Sequence, residues 1–224
     1  MAARTGMSRR WAAAAALAVA VVLGLTGCGA PSWNYVTNKE ERTYAKVPVA
    51  WRDVSDAIPA STGVFGLDPS TVSWVRAYDG DAAPSILHAT GTAAPAAPTM
   101  VVIVFSMPQQ ARGVVGLDYL RDIIFPVSDR ARMQLAMQPG SPLSDFKLYG
   151  DKTLTPGNGL RGVRSIFGYR INGGPPQVID QTAYTNDDAS KVYLITVRCA
   201  LDCFAQNSAQ IDDVASSFTV REKL

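Results

Sequence analysis

Histidine and cysteine are scarce in this sequence. Its 224 residues hold one His, His88, and three Cys, namely Cys28, Cys199 and Cys203. A Ser-His-Asp triad or a zinc set would have to draw on that single imidazole. No G-x-S-x-G elbow presents a nucleophile. Cys199 and Cys203 with one distant His fall short of the usual four zinc ligands. No catalytic residue, cofactor-binding residue or metal ligand is therefore expected. Charged residues make up only 18% of the chain. No basic cluster is interleaved with aromatics, which argues against nucleic acid as a partner.

A long stretch without charge lies near the start. Arg4, Arg9 and Arg10 open the chain without an acid, and the next charge is Lys39. Residues 11–25 are mostly Ala, Val and Leu. A basic start followed by a short apolar run is the pattern of an export signal. The run is short for a spanning helix, which needs about 20 residues. It leads into Leu25-Thr26-Gly27-Cys28, which resembles a bacterial lipobox. The resemblance implies that residues 1–27 are a signal peptide cleaved before Cys28 and that Cys28 is lipidated. The mature protein would then be held in the outer face of the cell membrane by lipid. Two acyl chains anchor stably where one is marginal. Two other readings stay open: residues 11–30 retained as a span, or Cys28 as an ordinary thiol. Ser8-Arg9-Arg10 partly matches the twin-arginine signal, but Ala12 and Ala13 stand where bulky apolar residues are favoured, so general secretion is preferred.

The leader distorts the charge balance. The 21 basic residues less its three arginines leave 18 against 19 acids, a mature net charge of −1. The 224 residues less 27 leave 197, enough for one domain with a sizeable core. Residues 28–43 read as the lipidated Cys and a tether, with Trp33 and Tyr35 either at the lipid interface or packed on the domain. Residues 44–224 read as a single domain. Cys199 and Cys203 are an even pair in an oxidising compartment and are expected to form a disulfide. A metal pair or a redox pair is the alternative.

Hydropathy patterning suggests an α+β domain. Residues 44–51 read as a strand with Val47, Val49 and Trp51 on one face, and Pro48 points to an edge position. A short helix is placed at 53–61 and a strand at 71–78. Residues 79–98, rich in Ala, Pro, Gly and Asp, read as a long surface loop. Residues 100–105 form an apolar run suited to a strand buried on both faces. A short helix at 117–125 is closed by Pro126, and 133–143 look irregular. Residues 163–171, 177–185 and 191–199 form an antiparallel meander joined by Asn172-Gly173-Gly174 and Asn186-Asp187-Asp188. A helix at 203–218, N-capped by Asp202, carries an apolar stripe of Phe204, Ile211, Val214, Ala215 and Phe218 that must cover the sheet.

Val192-Tyr-Leu-Ile-Thr-Val-Arg-Cys199, the closing Ser217-Phe218-Thr-Val220 and the early Val47-Pro48-Val49-Ala50-Trp51 resemble the PsbP-like domains. The Cys-x-x-x-Cys junction and the Trp74 strand are similar to uncharacterised secreted lipoproteins of high-GC Gram-positive bacteria. The resemblance implies an antiparallel sheet flanked by helices, with the C-terminal helix packed on it. It brings no catalytic residues, since fold alone does not carry function.

The remaining motifs read as structural. Gly157-Asn158-Gly159-Leu160-Arg161-Gly162 spells G-x-G-x-x-G but precedes a strand, so a turn fits better than a dinucleotide site. His88 reads as a solvated loop histidine. Asp79-Gly80-Asp81, Asp187-Asp188 and Asp212-Asp213 read as solvated turns and a helix face. Asp180, inside a strand, is expected to pair with Arg170 or Arg198 across the sheet. The reading is thus a membrane-anchored extracytoplasmic lipoprotein that acts as a non-catalytic binding or assembly module for a protein or small-ligand partner. The 79–98 and 150–162 loops would shape its surface. The alternative is a secreted hydrolase-like enzyme using carboxylates.

Overall fold

The computed structural model describes residues 32–58 and 64–221. The leader, Cys28 and the end of the expected helix at 53–61 lie outside the described residues. The strands are β1 (Trp33–Asn38), β2 (Thr43–Pro48), β3 (Arg52–Asp53), β4 (Val72–Asp79), β5 (Thr99–Ser106), β6 (Leu143–Gly157), β7 (Leu160–Ile171), β8 (Pro176–Thr185), β9 (Lys191–Ala200) and β10 (Thr219–Val220). The helices are α1 (Ile86–Thr90), α2 (Leu117–Arg121), α3 (Asp129–Ala136) and α4 (Leu201–Ser216). Seven strands form an antiparallel sheet in the order β3-β4-β5-β9-β8-β7-β6, and β1-β2-β10 form a smaller one. This is the α+β architecture with a helix-covered antiparallel sheet that the patterning implied.

β5 shows why the sheet is closed on both sides. Met100, Val102 and Val104 enter one core, and Val101, Ile103 and Phe105 enter the other. Each is at most 2% exposed. On the first side α4 lays Cys203, Ile211, Val214 and Ala215 against β8 and β9, followed by Phe218 just beyond its end, together with Ala45 and Val47 of β2. On the second side lie α1 and α2, through Ala89 and Leu120. The meander has the expected inward face, with Val163, Ser165, Phe167, Tyr169 and Ile171 all buried.

Several expectations are corrected. Trp33–Asn38, read as tether, is a strand paired with β2, and the compact unit starts at Trp33. Trp33 packs against the core, while Tyr35 is 80% exposed. β2 ends at Pro48, because a turn returns the Trp51 N–H to the Pro48 carbonyl at 3.0 Å, and this turn leaves Val49 exposed. Pro48 also sits at the end of a middle strand, not on an edge. Residues 133–143 hold the second half of α3, which is N-capped by the Ser128 hydroxyl, and the start of β6. Residues 150–157, read as loop, belong to β6, an edge strand with almost no buried side chain. The 79–98 segment contains α1. The residue before α4 is Ala200, so Asp202 lies in the first turn and makes no cap.

Candidate functional site

The G-x-G-x-x-G segment is the β6–β7 hairpin. Asn158 and Gly159 have φ of 53° and 74°, the paired positive values of a tight hairpin turn. His88 is not a free loop side chain. It lies in α1, and its Nδ1 is 2.7 Å from Oδ2 of Asp79, which is 0% exposed. The same carboxylate accepts the Asp81 and Ser85 N–H groups at 3.0 and 2.8 Å. Asp79 therefore holds the start of α1 in place and is no solvated turn residue. Asp187 and Asp188 are exposed, as expected.

Asp180 has neither expected partner. Arg164 donates to it from Nε at 2.9 Å and from Nη2 at 2.6 Å. Arg164 also reaches Asp212 at 2.7 Å and Ser216 at 2.9 Å on α4. Arg164 is two residues out of register with Asp180 on adjacent strands, a diagonal that long side chains bridge. Burial pushes the Asp180 carboxyl up and the guanidinium pulls it back, leaving it raised, while its carboxylates raise Arg164. Arg170 instead pairs with Asp145 at 2.8 Å.

Cys199 and Cys203 are both free, buried thiols, so the expected disulfide is not formed in this structure. They are nonetheless hydrogen-bonded neighbours, a contact that raises Cys199 and lowers Cys203. Asn207 donates to the Cys203 carbonyl at 2.8 Å at a kink in α4. Among the described residues no His, Cys, Asp and Glu side chains gather as a metal set, and no helix is long and apolar enough to cross a membrane.

Arg198, expected only as a possible partner of Asp180, has a different setting. It sits near the end of β9 on the side opposite α4, 4% exposed. Its Nη2 donates to the Gly91 and Ala93 carbonyls at 2.7 Å each, and its Nε–H has no partner. Buried oxygens of Gln177, Gln181 and Thr182 also lack partners, but Arg198 alone among these carries charge. Burial pulls its pKa down to about 10. Its signal in the sequence was an arginine inside an otherwise apolar strand buried on both faces.

Arg198 lines a groove of about 510 Å³. Thr90, Gly91 and Thr92 form one wall. The Gly91 N–H caps α1 on the Leu87 carbonyl at 2.8 Å, and a Cβ there would lie 2.3 Å from that oxygen. Ile124, Phe125 and Pro126 form the second wall. Gln181 fixes the end of α2 just before it by donating to the Leu120 and Arg121 carbonyls, and the Tyr169 hydroxyl donates to the Pro126 carbonyl. Pro142, Leu143, Ile171 and Asn172 complete the groove, with Phe65 alongside, and among the described residues no carboxylate lines it. A second groove, of about 450 Å³, is lined by Asp118, Asp129, Asp151 and Arg121. Its acids are largely engaged: Arg121 contacts Asp118 and Asp151 at 2.8 Å, and Asp129 pairs with Arg132.

No protein-family model matches the chain, and no curated protein matches it. The match to the solution structure of cyanobacterial PsbP (CyanoP) from Synechocystis has a TM-score of 0.51 at 15% identity. It covers 88% of this chain and 99% of that one, and shows the PsbP-like fold. The Ran-binding protein Mog1p of Saccharomyces cerevisiae matches at 11% identity and TM-score 0.45, over 85% and 96% of the two chains. LpqN, involved in cell envelope biogenesis of Mycobacterium tuberculosis, matches at 15% identity and TM-score 0.43, over 85% and 91%.

Proposed function

We propose that this protein is a lipid-anchored binding module on the outer face of the cell membrane, non-catalytic, taking a ligand in the Arg198 groove. The observation that carries the binding reading is the groove itself: mostly apolar walls around one buried, uncompensated guanidinium. Such a concave apolar site with few polar groups is the usual form of a ligand pocket. The anchor reading draws on the basic start, the apolar run and the Leu25–Cys28 box. Cys28→Ala is expected to leave the membrane fraction or to persist as an uncleaved precursor. A mutant that fractionates and migrates like wild type removes the anchor. Crosslinking the anchored protein in its native membrane should capture a ligand that Ile124→Trp, which fills the groove, loses. Identical crosslinks in both proteins remove the groove as the site.

A second reading, the secreted hydrolase, draws on the His88–Asp79 pair, because a buried carboxylate behind an imidazole can orient a general base. Among the described residues no hydroxyl or thiol side chain is bonded to the ring's other nitrogen. A turnover that dies with His88→Ala at unchanged stability would favour the enzyme.

A further inference from the structure

We infer that the groove binds a single-chain anionic amphiphile, with a carboxylate or phosphate head on the Arg198 guanidinium and an apolar tail along Ile124, Phe125, Leu143 and Ile171. The inference deepens the binding reading above and rests on it.

The head follows from charge. Arg112, Arg121, Arg132, Arg164 and Arg170 each reach a carboxylate. Arg198 is buried at 4% exposure and reaches only two carbonyls through one nitrogen. Carbonyl dipoles position a guanidinium but do not neutralise it. A buried charge without a counter-charge is costly, and folded proteins pair such groups. The pKa near 10 stays well above neutrality, so the side chain remains a cation at physiological pH. Planar oxyanions are the partners a guanidinium fork fits best.

The tail follows from the walls. The groove's volume of about 510 Å³ falls within the range of small-molecule sites. A small inorganic anion would satisfy Arg198 and leave the apolar walls wet. A neutral chain would cover the walls and leave the guanidinium unpaired. Each methylene buried there raises affinity roughly fourfold. Only a ligand with both parts answers both features.

The test is calorimetric titration of the full chain carrying Cys28→Ser, so that no acyl group of its own competes. The probes are decanoate, decyl phosphate, decanol and acetate, kept below micelle-forming concentrations. At least one of the two anionic chains should bind about tenfold or more tighter than decanol, and acetate should bind far more weakly. Which anion leads distinguishes a carboxylate head from a phosphate head. Ile124→Trp should abolish binding. In Arg198→Met the preference for anion over alcohol should vanish while decanol still binds. The inference is overturned if decanol equals both anions on the wild-type chain, a comparison independent of any variant's folding. It is also overturned if Arg198→Met weakens all chains equally, which would make Arg198 a clamp for the turn at 91–93. In both cases the groove survives as a binding site for another ligand class. If no probe binds at all, the binding reading falls with the inference.

Discussion

Arg164 and Arg198 lie on opposite sides of the same sheet and are treated in opposite ways. Arg164 faces α4 and is enclosed by Asp180, Asp212 and Ser216, so strand and helix are tied through one satisfied cation. Arg198 lines the groove, donating to two carbonyls, and its buried Nε–H has no partner among the described residues. A buried ion pair of good geometry roughly breaks even against its desolvation cost, whereas a lone buried ion does not. Covering one side with a long amphipathic helix allows its charge to be closed off. The other side carries only short helices and turns, and its charge is left facing a cavity. Arg164 is the compensated charge, and Arg198 is the uncompensated one, where the proposed ligand would bind.

The comparison can be broken or sharpened by experiment. The largest effect is expected from Arg164→Met, which strands Asp180 at 1% exposure. It should cost about 3–5 kcal/mol by urea denaturation, and adding Asp180→Leu should recover most of it. A loss under about 1 kcal/mol would show that the closed side does not depend on this pair. Next comes the cysteine pair beside it. We propose that Cys199 and Cys203 form a disulfide in an oxidising compartment, locking α4 to β9. The mature chain should then weigh two hydrogens less and lose about 2 kcal/mol on reduction. Two freely alkylated thiols would end that proposal.

Arg198→Met is expected to change stability by no more than about 1 kcal/mol in either direction, because the lost carbonyl contacts are offset by removal of a buried charge. A loss as large as that of Arg164→Met would erase the contrast. The smallest effect concerns Arg121, which shares Asp118 and Asp151 at a partly exposed position. Burial works to raise Asp151, but hydrogen bonds from Arg121 and Ser165 outweigh it and hold it below the usual carboxylate value. A carboxylate lowered on folding contributes stability above its unfolded pKa and loses it as pH falls through the folded one. Urea midpoints from about pH 5 down to about pH 2 should therefore fall less steeply in Asp151→Asn than in wild type.

Much of the fold was legible because burial wrote it into the residue pattern. The run at 100–105 declared a strand covered on both sides, and the alternation from Val163 to Ile171 declared its inward face. The stripe of Ile211, Val214 and Ala215 declared a helix on that sheet. β6 stayed hidden for the converse reason. It is an edge strand whose side chains are mostly exposed, so its residues show no hydrophobic period. β1 stayed hidden because Trp33-Asn-Tyr-Val-Thr-Asn pairs only with β2 and buries a single residue, Val36.

The site divides along the same line. By itself the sequence determined that a basic start and an uncharged apolar run precede Cys28, that one histidine serves the whole sequence, and that an arginine stands in an apolar strand. These are local facts of composition and spacing. Which acid meets which arginine was decided only in three dimensions. Arg164 rather than Arg170 or Arg198 took Asp180, because strand register and α4 brought them together across 16 residues of sequence. Asp79 meets His88 across nine residues of sequence, but Arg198, beside which no acid lies among the described residues, is set by packing between segments about a hundred residues apart. Charge pairing is a property of distance in space, and a sequence carries that distance only where hydrophobic periodicity already dictates the fold.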